Sequence, residues 1–360
     1  MGKKICELCL SPDLGGLELY MMRASRYLGD QCVSVINARG KLKSYYEGSE
    51  QKYFPLKRRN ILLSWLGAGE LARIIDDEKI DILHLHWTKD LPLAVMAKLL
   101  SRRKPKLVQS RHMNMTRFKD DLYHRFLYKN LDMILAVTQQ VKAQIERFVP
   151  AAIRPRTEVL YIGAEAPVII SDEEKKSRRG QLGLNESFTV GIVGRIEAPK
   201  GQHIVLEAVQ KLSDEGIDAK ALIVGHAMDE AYLQELENDY RDVGIFTGFT
   251  REAQTLMQLC DVVVLATKNE TFGLVLIEAM MCGVCVAGSD SGGPLEIIDE
   301  GISGLLFKTF DADDLARKLR MLYQDGALRR RFAEAGRDKA LDVFESNKQF
   351  EQLGKMLEML

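Results

Sequence analysis

Short apolar runs recur along this chain, each followed by a stretch with helical spacing. That alternation restricts the fold more than any other feature. In the first half the runs are KICELCL, CVSVIN, DILHLHW, KLVQSR and DMILAVT, with helical patterns such as GLELYMMRASRYLG and SWLGAGELARIIDDE between them. Strand and helix in repetition predict a parallel sheet covered on both faces, because parallel neighbours need a crossover and its helix buries the face it crosses. The pattern lapses at PVIISDEEKKSRRGQLGLNES, residues 167–187, which is polar and charged. It resumes with FTVGIVGR, AKALIVG, VGIFTGF, DVVVLAT and VCVAGS. The chain is therefore expected to form two doubly wound, Rossmann-like α/β domains, residues 1–166 and 188–340, joined by a linker at 167–187 and facing each other across a cleft. Residues 341–360 are expected to add a packing helix, since Phe350, Leu353, Leu357 and Leu360 recur at spacings of three and four. Sheets of this kind bind ligands beyond the carboxyl ends of their strands, so chemistry is expected in the loops that follow strands.

Composition removes several classes. No run of about eighteen uncharged apolar residues occurs, so no spanning helix is expected. The N-terminal stretch contains Glu7 and leads into a Gly loop, which suits a first buried strand better than a secretory signal. A cytoplasmic location is the default expectation. Cys6 and Cys9 have the spacing of a redox or metal pair, but a strand would point them to opposite faces and no His partner stands at zinc spacing. No metal site is expected. The net charge of −1 hides an asymmetry: residues 1–165 hold 28 Lys and Arg against 18 Asp and Glu, and residues 166–360 hold 22 against 33. A basic half joined to an acidic half suggests that the first half meets something anionic, with nucleic acid disfavoured because no recognition fingerprint accompanies the charge.

Two loops in the second half carry the strongest chemistry. In VGIVGRIEAPKGQHIVLEAV, Gly194 allows a close turn after the strand, and Arg195 and Lys200 flank a helix start. Two cations beside a helix N-terminus form a site for phosphate oxygens. Either cation alone reads equally well as solvated. The three spaced glycines of a dinucleotide site are absent. In DVVVLATKNETFGLVLIEAMMCG, a post-strand loop carries Glu270, and a helix is expected to begin near Phe272 or Gly273 and to stop at Gly283. The amides of Gly273, Leu274 and Val275 can donate to a phosphate. Glu278 lies roughly 7–8 Å further along that helix, where a carboxylate among apolar residues needs a partner: vicinal ribose hydroxyls or a structural Arg. One acid would then face the sugar end of a nucleotide sugar and the other its ribose. DADD, residues 311–314, reads as an N-cap and not as a metal-binding pair.

These elements, ETFGLVLIEAM with GRIEAPKG, resemble the retaining glycosyltransferases of family 4, the group 1 glycosyltransferases of GT-B architecture. DLGGLE at 13–18, DILHLHW at 81–87, SRHMN at 110–114 and GSDSGGPLEII at 288–298 fit the same family. The resemblance implies that Arg195 and Lys200 hold the donor diphosphate, that Glu278 holds the ribose hydroxyls, and that Glu270 holds hydroxyls of the transferred sugar. It further implies phosphate contacts from amides at Phe272, Gly273, Leu274 and Val275. Gly15 and Gly16 would close over the diphosphate or admit the acceptor, and His112 would sit beside the sugar. Thr271 stands where the family often has Gly, a side chain that would trim the sugar pocket.

The expected activity is retaining transfer of a sugar, without a metal ion, from a nucleotide-diphosphate sugar to a hydroxyl acceptor. UDP-sugar is favoured over GDP- or ADP-sugar, and a lipid-linked or lipopolysaccharide-type glycan is favoured as acceptor. The alternatives are a soluble acceptor, a nucleotide-sugar epimerase of the same architecture, and an inactive binding module. Base recognition is expected from backbone near IFTGF, residues 245–249. His84 and His86 share one face of a buried strand, which suggests a core hydrogen-bond role for at least one of them; His203 and His226 carry no supporting pattern. Cations gather at KRR (57–59), RRKPK (102–106) and RFKDDLYHRFLYKN (117–130), where Phe118, Leu122 and Phe126 recur at helical spacing. Most such stripes are core faces; with the basic excess, docking to an anionic membrane surface, at the inner face of the membrane, is the sharper expectation.

Overall fold

A computed structural model of the chain describes residues 2–57 and 64–360. Arg58 and Arg59, part of the first basic cluster, lie outside the described residues. The chain forms two compact units. The first takes the residues up to Ile162 together with Asn347–Leu360, and the second is Gly163–Ser346.

The first unit is built on strands β1 (Ile5–Cys9), β2 (Cys32–Asn37), β3 (Tyr53–Leu56), β4 (Ile82–Leu85), β5 (Lys106–Arg111), β6 (Met133–Ala136) and β7 (Arg156–Val159). They pair in parallel in the order β3-β2-β1-β4-β5-β6-β7. The second unit holds β8 (Phe188–Val193), β9 (Ala219–Val224), β10 (Gly244–Gly248), β11 (Val262–Leu265), β12 (Cys285–Ser289) and β13 (Leu305–Phe307). Their order is β10-β9-β8-β11-β12-β13, again parallel. Each sheet reverses its winding once, between β1 and β4 and between β8 and β11. A crevice opens at such a reversal, because the loops leaving the two adjacent strands run to opposite faces.

Central strands are mostly buried, as the unbroken apolar runs require; all five residues of β1 and all four of β11 are buried. Three short edge strands, β3, β7 and β13, were not evident as apolar runs. The span 167–187 includes ordered secondary structure. It holds a helix, Asp172–Gln181, whose N-cap Ser171 accepts from the Glu174 amide at 3.2 Å, and Leu184 is buried against β9. Asp311 caps the helix Ala312–Gln324 by accepting from the Asp314 amide at 2.9 Å, as its sequence suggested.

The final helix, Ser346–Glu358, buries Phe350, Leu353 and Leu357 against Ile5, Ile82, Val108 and Met133 of the first sheet. Three such side chains contribute about 5–9 kcal/mol of transfer free energy, an upper estimate. The tail thus completes the first unit although it follows the second in sequence. All six cysteines are unpaired thiols, five of them buried. Among the described residues no helix is long and apolar enough to cross a membrane.

Candidate active site

In the second unit, the loops after β8 and β11 meet at the reversal of strand order. Gly201 makes this approach possible. Its backbone is left-handed (φ +77°), and a Cβ there would lie 2.5 Å from the carbonyl oxygen of Ala266. Beside it the Lys268 amide donates to the Pro199 carbonyl at 3.1 Å. The Lys200 ammonium then reaches Glu270 Oε2 at 3.3 Å, with both side chains mostly shielded from water. Arg195 is more open and pairs with Glu197 Oε1 at 3.0 Å. Gln202 at the helix start donates to the Arg195 carbonyl at 2.8 Å, which fixes the turn that presents the guanidinium.

The loop after β12 closes on the same turn. The Gly293 amide donates to the Glu270 carbonyl at 3.1 Å, and a Cβ on Gly293 would overlap the Phe272 carbonyl oxygen, at 1.7 Å. Only glycine fits there. Within the GSDSGGPLEII stretch, Gly293 thus supplies room for the Phe272 backbone. Helix Leu274–Met281 starts from Gly273, whose φ of +104° turns the chain abruptly, and ends at Cys282 before the left-handed Gly283. Its first amides have no partner one turn back, so Leu274 and Val275 present donors at the end of the dipole that favours anions. Phe272 is buried, with its ring against Phe344 at 6.2 Å, and anchors the turn from below. Glu278 is half-buried on this helix, one turn beyond Leu274. Lys200, Glu270 and the helix start therefore converge, Arg195 stands on the same post-β8 loop as Lys200 with its guanidinium paired to Glu197, and Glu278 lies one turn along the helix.

In the first unit, Gly15 caps the helix Gly16–Leu28 in extended conformation. Buried Glu18 turns back over this start, its Oε2 3.4 Å from where a Gly15 Cβ would lie. A carboxylate already placed at a helix N-terminus opposes a second anion there. A Cβ on Gly16 would meet nothing within 4 Å.

His112 follows β5 and is half-buried. Buried Arg111 braces its loop by donating to the Met113 carbonyl at 2.8 Å and the Asn114 carbonyl at 2.9 Å. His112 Nε2 lies 3.3 Å from His86 Nδ1. His86 Nε2 is hydrogen-bonded to Glu7 Oε2, and Glu7 Oε1 lies 3.0 Å from His84 Nδ1. His84 Nε2 ends the chain 2.8 Å from Ser110 Oγ. His84 in β4 and His86 just beyond it are thus both in the core hydrogen-bond role. Burial presses the His112 imidazole well below its ordinary range, with His86 and His84 adding to the effect. Burial alone would raise Glu7, but the two imidazoles outweigh it and hold the carboxyl at about 2.

Glu7 is the residue that sequence reasoning missed. A carboxylate inside a strand buried on both faces, two histidines on the neighbouring run, and parity placing all three on one side were the available signals. Glu7, His84 and His86 also place ligand-capable atoms within 4.8 Å of one another; here those atoms are satisfied by mutual hydrogen bonds. His203 is structural, its Nδ1 2.8 Å from Tyr232 Oη. His226 packs edge-on to the exposed ring of Phe249, in the IFTGF turn, at 6.1 Å.

Comparison with known proteins decides what this arrangement belongs to. The model of Glycosyltransferase Family 4 matches residues 14–165, and that of Glycosyl transferases group 1 matches residues 173–339. The chain belongs to the group 1 glycosyltransferases of family 4. Among its relatives, the N-acetyl-alpha-D-glucosaminyl L-malate synthase of Bacillus anthracis is 27% identical over 294 residues, 78% of this chain and 75% of the relative. The capsular polysaccharide biosynthesis glycosyltransferase CapM of Staphylococcus aureus is 22% identical over 342 residues, 90% of this chain and 89% of that one. Anabaena HepE, crystallised in complex with UDP, is similar at a TM-score of 0.88 and 23% identity, covering 99% of this glycosyltransferase and 100% of HepE. The two-domain α/β architecture is therefore that of the GT-B fold.

Proposed function

We propose that this glycosyltransferase moves a sugar from a UDP-sugar to a hydroxyl of a lipid-linked glycan, with retention at the anomeric carbon and without a metal ion. The observation that carries the reading is the Lys200–Glu270 pair beside the Leu274–Met281 helix start at the reversal of the second sheet, with Arg195 on the same post-β8 loop. The departing diphosphate carries the charge that catalysis must stabilise. A guanidinium, an ammonium and the free amides of a helix terminus supply that stabilisation in fixed positions. Glu270, tethered by Lys200, is held to accept hydroxyls of the transferred sugar, and Glu278 to accept those of the ribose. Phe249 beside His226 offers a ring face where a base would stack. HepE, of the same fold, was crystallised with UDP, which supports uracil as the base. Retention follows the family's mechanism, in which a phosphate oxygen of the leaving group takes the acceptor proton on the face from which the sugar departs.

Thermal shift against UDP, GDP and ADP is expected to rank UDP first, and incubation of UDP-sugars with acceptor is expected to give an α-linked product from an α-linked donor. Turnover should persist in EDTA. Conversion of the donor without acceptor would identify an epimerase instead, and stabilisation by none of the three nucleotides would remove the reading.

The lipid-linked acceptor is supported by an exposed apolar stripe in the basic half. Phe118, Leu122 and Phe126 are 60%, 87% and 45% exposed, and Arg117, Arg125 and Lys129 stand among them on the surface. The helix Leu122–Lys129 buries Leu127 and Tyr128 instead, so the stripe is not a core face. Vesicles with anionic lipid are expected to float the protein at low salt and release it at high salt, and Leu122→Asp with Phe126→Asp is expected to abolish flotation. Indifference to anionic lipid would favour a soluble acceptor, the reading that the similarity to a glucosaminyl malate synthase supports.

A further inference from the structure

The buried chain Ser110–His84–Glu7–His86–His112 has a direction. Glu7 and His84 are neighbours in the β1–β4 register, and the Ile5, Ile82 and Val108 side chains on the same sheet face are apolar. Tyr20 closes over the far end, its ring 5.6 Å from His86 and 5.3 Å from His112. A polar row in such surroundings is retained only if its donors and acceptors match.

Each match follows from the one before it. An ionised carboxylate only accepts, so both imidazole nitrogens facing Glu7 carry the hydrogen. His84 then has Nδ1–H toward Glu7, and its Nε2 lies 2.8 Å from the Ser110 hydroxyl. Neutral His86 has Nε2–H, and its Nδ1 holds a lone pair toward His112 Nε2. His112 must therefore donate through Nε2–H, which leaves Nδ1 as the lone-pair nitrogen. That Nδ1 is buried and has no hydrogen-bond partner, whereas the other imidazole nitrogens of the row are engaged.

We propose that Glu7 is a positioning residue for His112: acting through His86, it selects the His112 tautomer whose Nδ1 is an acceptor, and a substrate hydroxyl supplies the missing donor. The kinetic part of this inference rests on the glycosyl-transfer reading; the tautomer part does not. Without the carboxylate, His86 is released to either tautomer, and His112 follows it. Burial keeps His112 neutral, so it stays an acceptor across the neutral range.

The experiment is a two-bond nitrogen–proton correlation spectrum of protein carrying nitrogen-15 in its six histidines, with His112 assigned by its loss in His112→Ala. Wild-type protein is expected to show His112 protonated at Nε2 and bare at Nδ1. Glu7→Leu is expected to convert it to a mixture of tautomers and to lower kcat about tenfold, the worth of one hydrogen bond, with UDP affinity within twofold of wild type. Ser110→Ala, which cuts the far end of the chain, is expected to leave the His112 tautomer in place. Protonation of His112 at Nδ1 in wild type overturns the proposal, and that measurement decides the matter even if Glu7→Leu does not fold. An unchanged His112 pattern in folded Glu7→Leu, or an equal change in Ser110→Ala, also overturns it. Zinc-induced loss of the His84 and His86 hydrogen-bonded pattern would do the same, since a metal ion would then own those nitrogens. Should no variant or wild type transfer sugar with any donor, the glycosyl-transfer reading fails while the tautomer result stands separately.

Discussion

Replacing Glu270 by Ala is expected to lower sugar transfer by about a hundredfold or more, a loss typical of misplacing the reacting group, while UDP binds at least as tightly as to wild type. The two effects separate because the carboxylate sits at 3.3 Å from the Lys200 ammonium. Removing it deprives the sugar of a hydroxyl acceptor and leaves its orientation loose. It also frees Lys200 from a competing anion, so the diphosphate meets a cation with no other partner. Steady-state kinetics with a UDP-sugar, set beside calorimetry with UDP alone, checks both halves. Normal turnover would end the role given to Glu270, and weakened UDP binding would show that the acid supports the phosphate site instead of opposing it.

Lys200→Ala is expected to weaken UDP about 10- to 100-fold, the range for loss of a hydrogen bond to a charged group. Part of that loss has a separate origin. Once the ammonium is gone, Glu270 stands uncompensated beside the diphosphate, in a site shielded enough for repulsion to be felt. The double variant Lys200→Ala with Glu270→Ala is therefore expected to bind UDP more tightly than Lys200→Ala alone. Calorimetry on the four proteins of the cycle measures the coupling directly. Strict additivity would mean that Lys200 and Glu270 act on UDP independently, and the pair would then be a surface contact of little consequence.

Much of this was legible before any coordinates. The alternation of apolar run and helical stretch yields two parallel sheets because the crossover leaves no other common solution. Arg195, Lys200, Glu270 and the Gly273 turn were readable as post-strand loops because glycines and charges interrupt apolar sequence there. The short edge strands β3, β7 and β13 were not readable. β3 contains Pro55, tolerated because an edge strand need not donate on its open side, and β13 has only three residues. Strand order was not readable either, since alternation says nothing about which strands become neighbours, and the reversals between β1 and β4 and between β8 and β11 are what bring the loops together. Lys200 and Glu270 lie seventy positions apart, and only that order makes them partners. Glu7 was passed over for the same reason: its meaning lies across the sheet, in His84 and His86.

The last helix has a consequence for how this chain must be made. Because Phe350, Leu353 and Leu357 cover part of the first sheet, synthesis of the opening domain does not complete its packing. That surface stays bare while the whole intervening domain emerges and folds. The nascent protein therefore passes through a stage in which the later lobe can be native while the earlier one still waits for its cover, an exposure that invites chaperone binding.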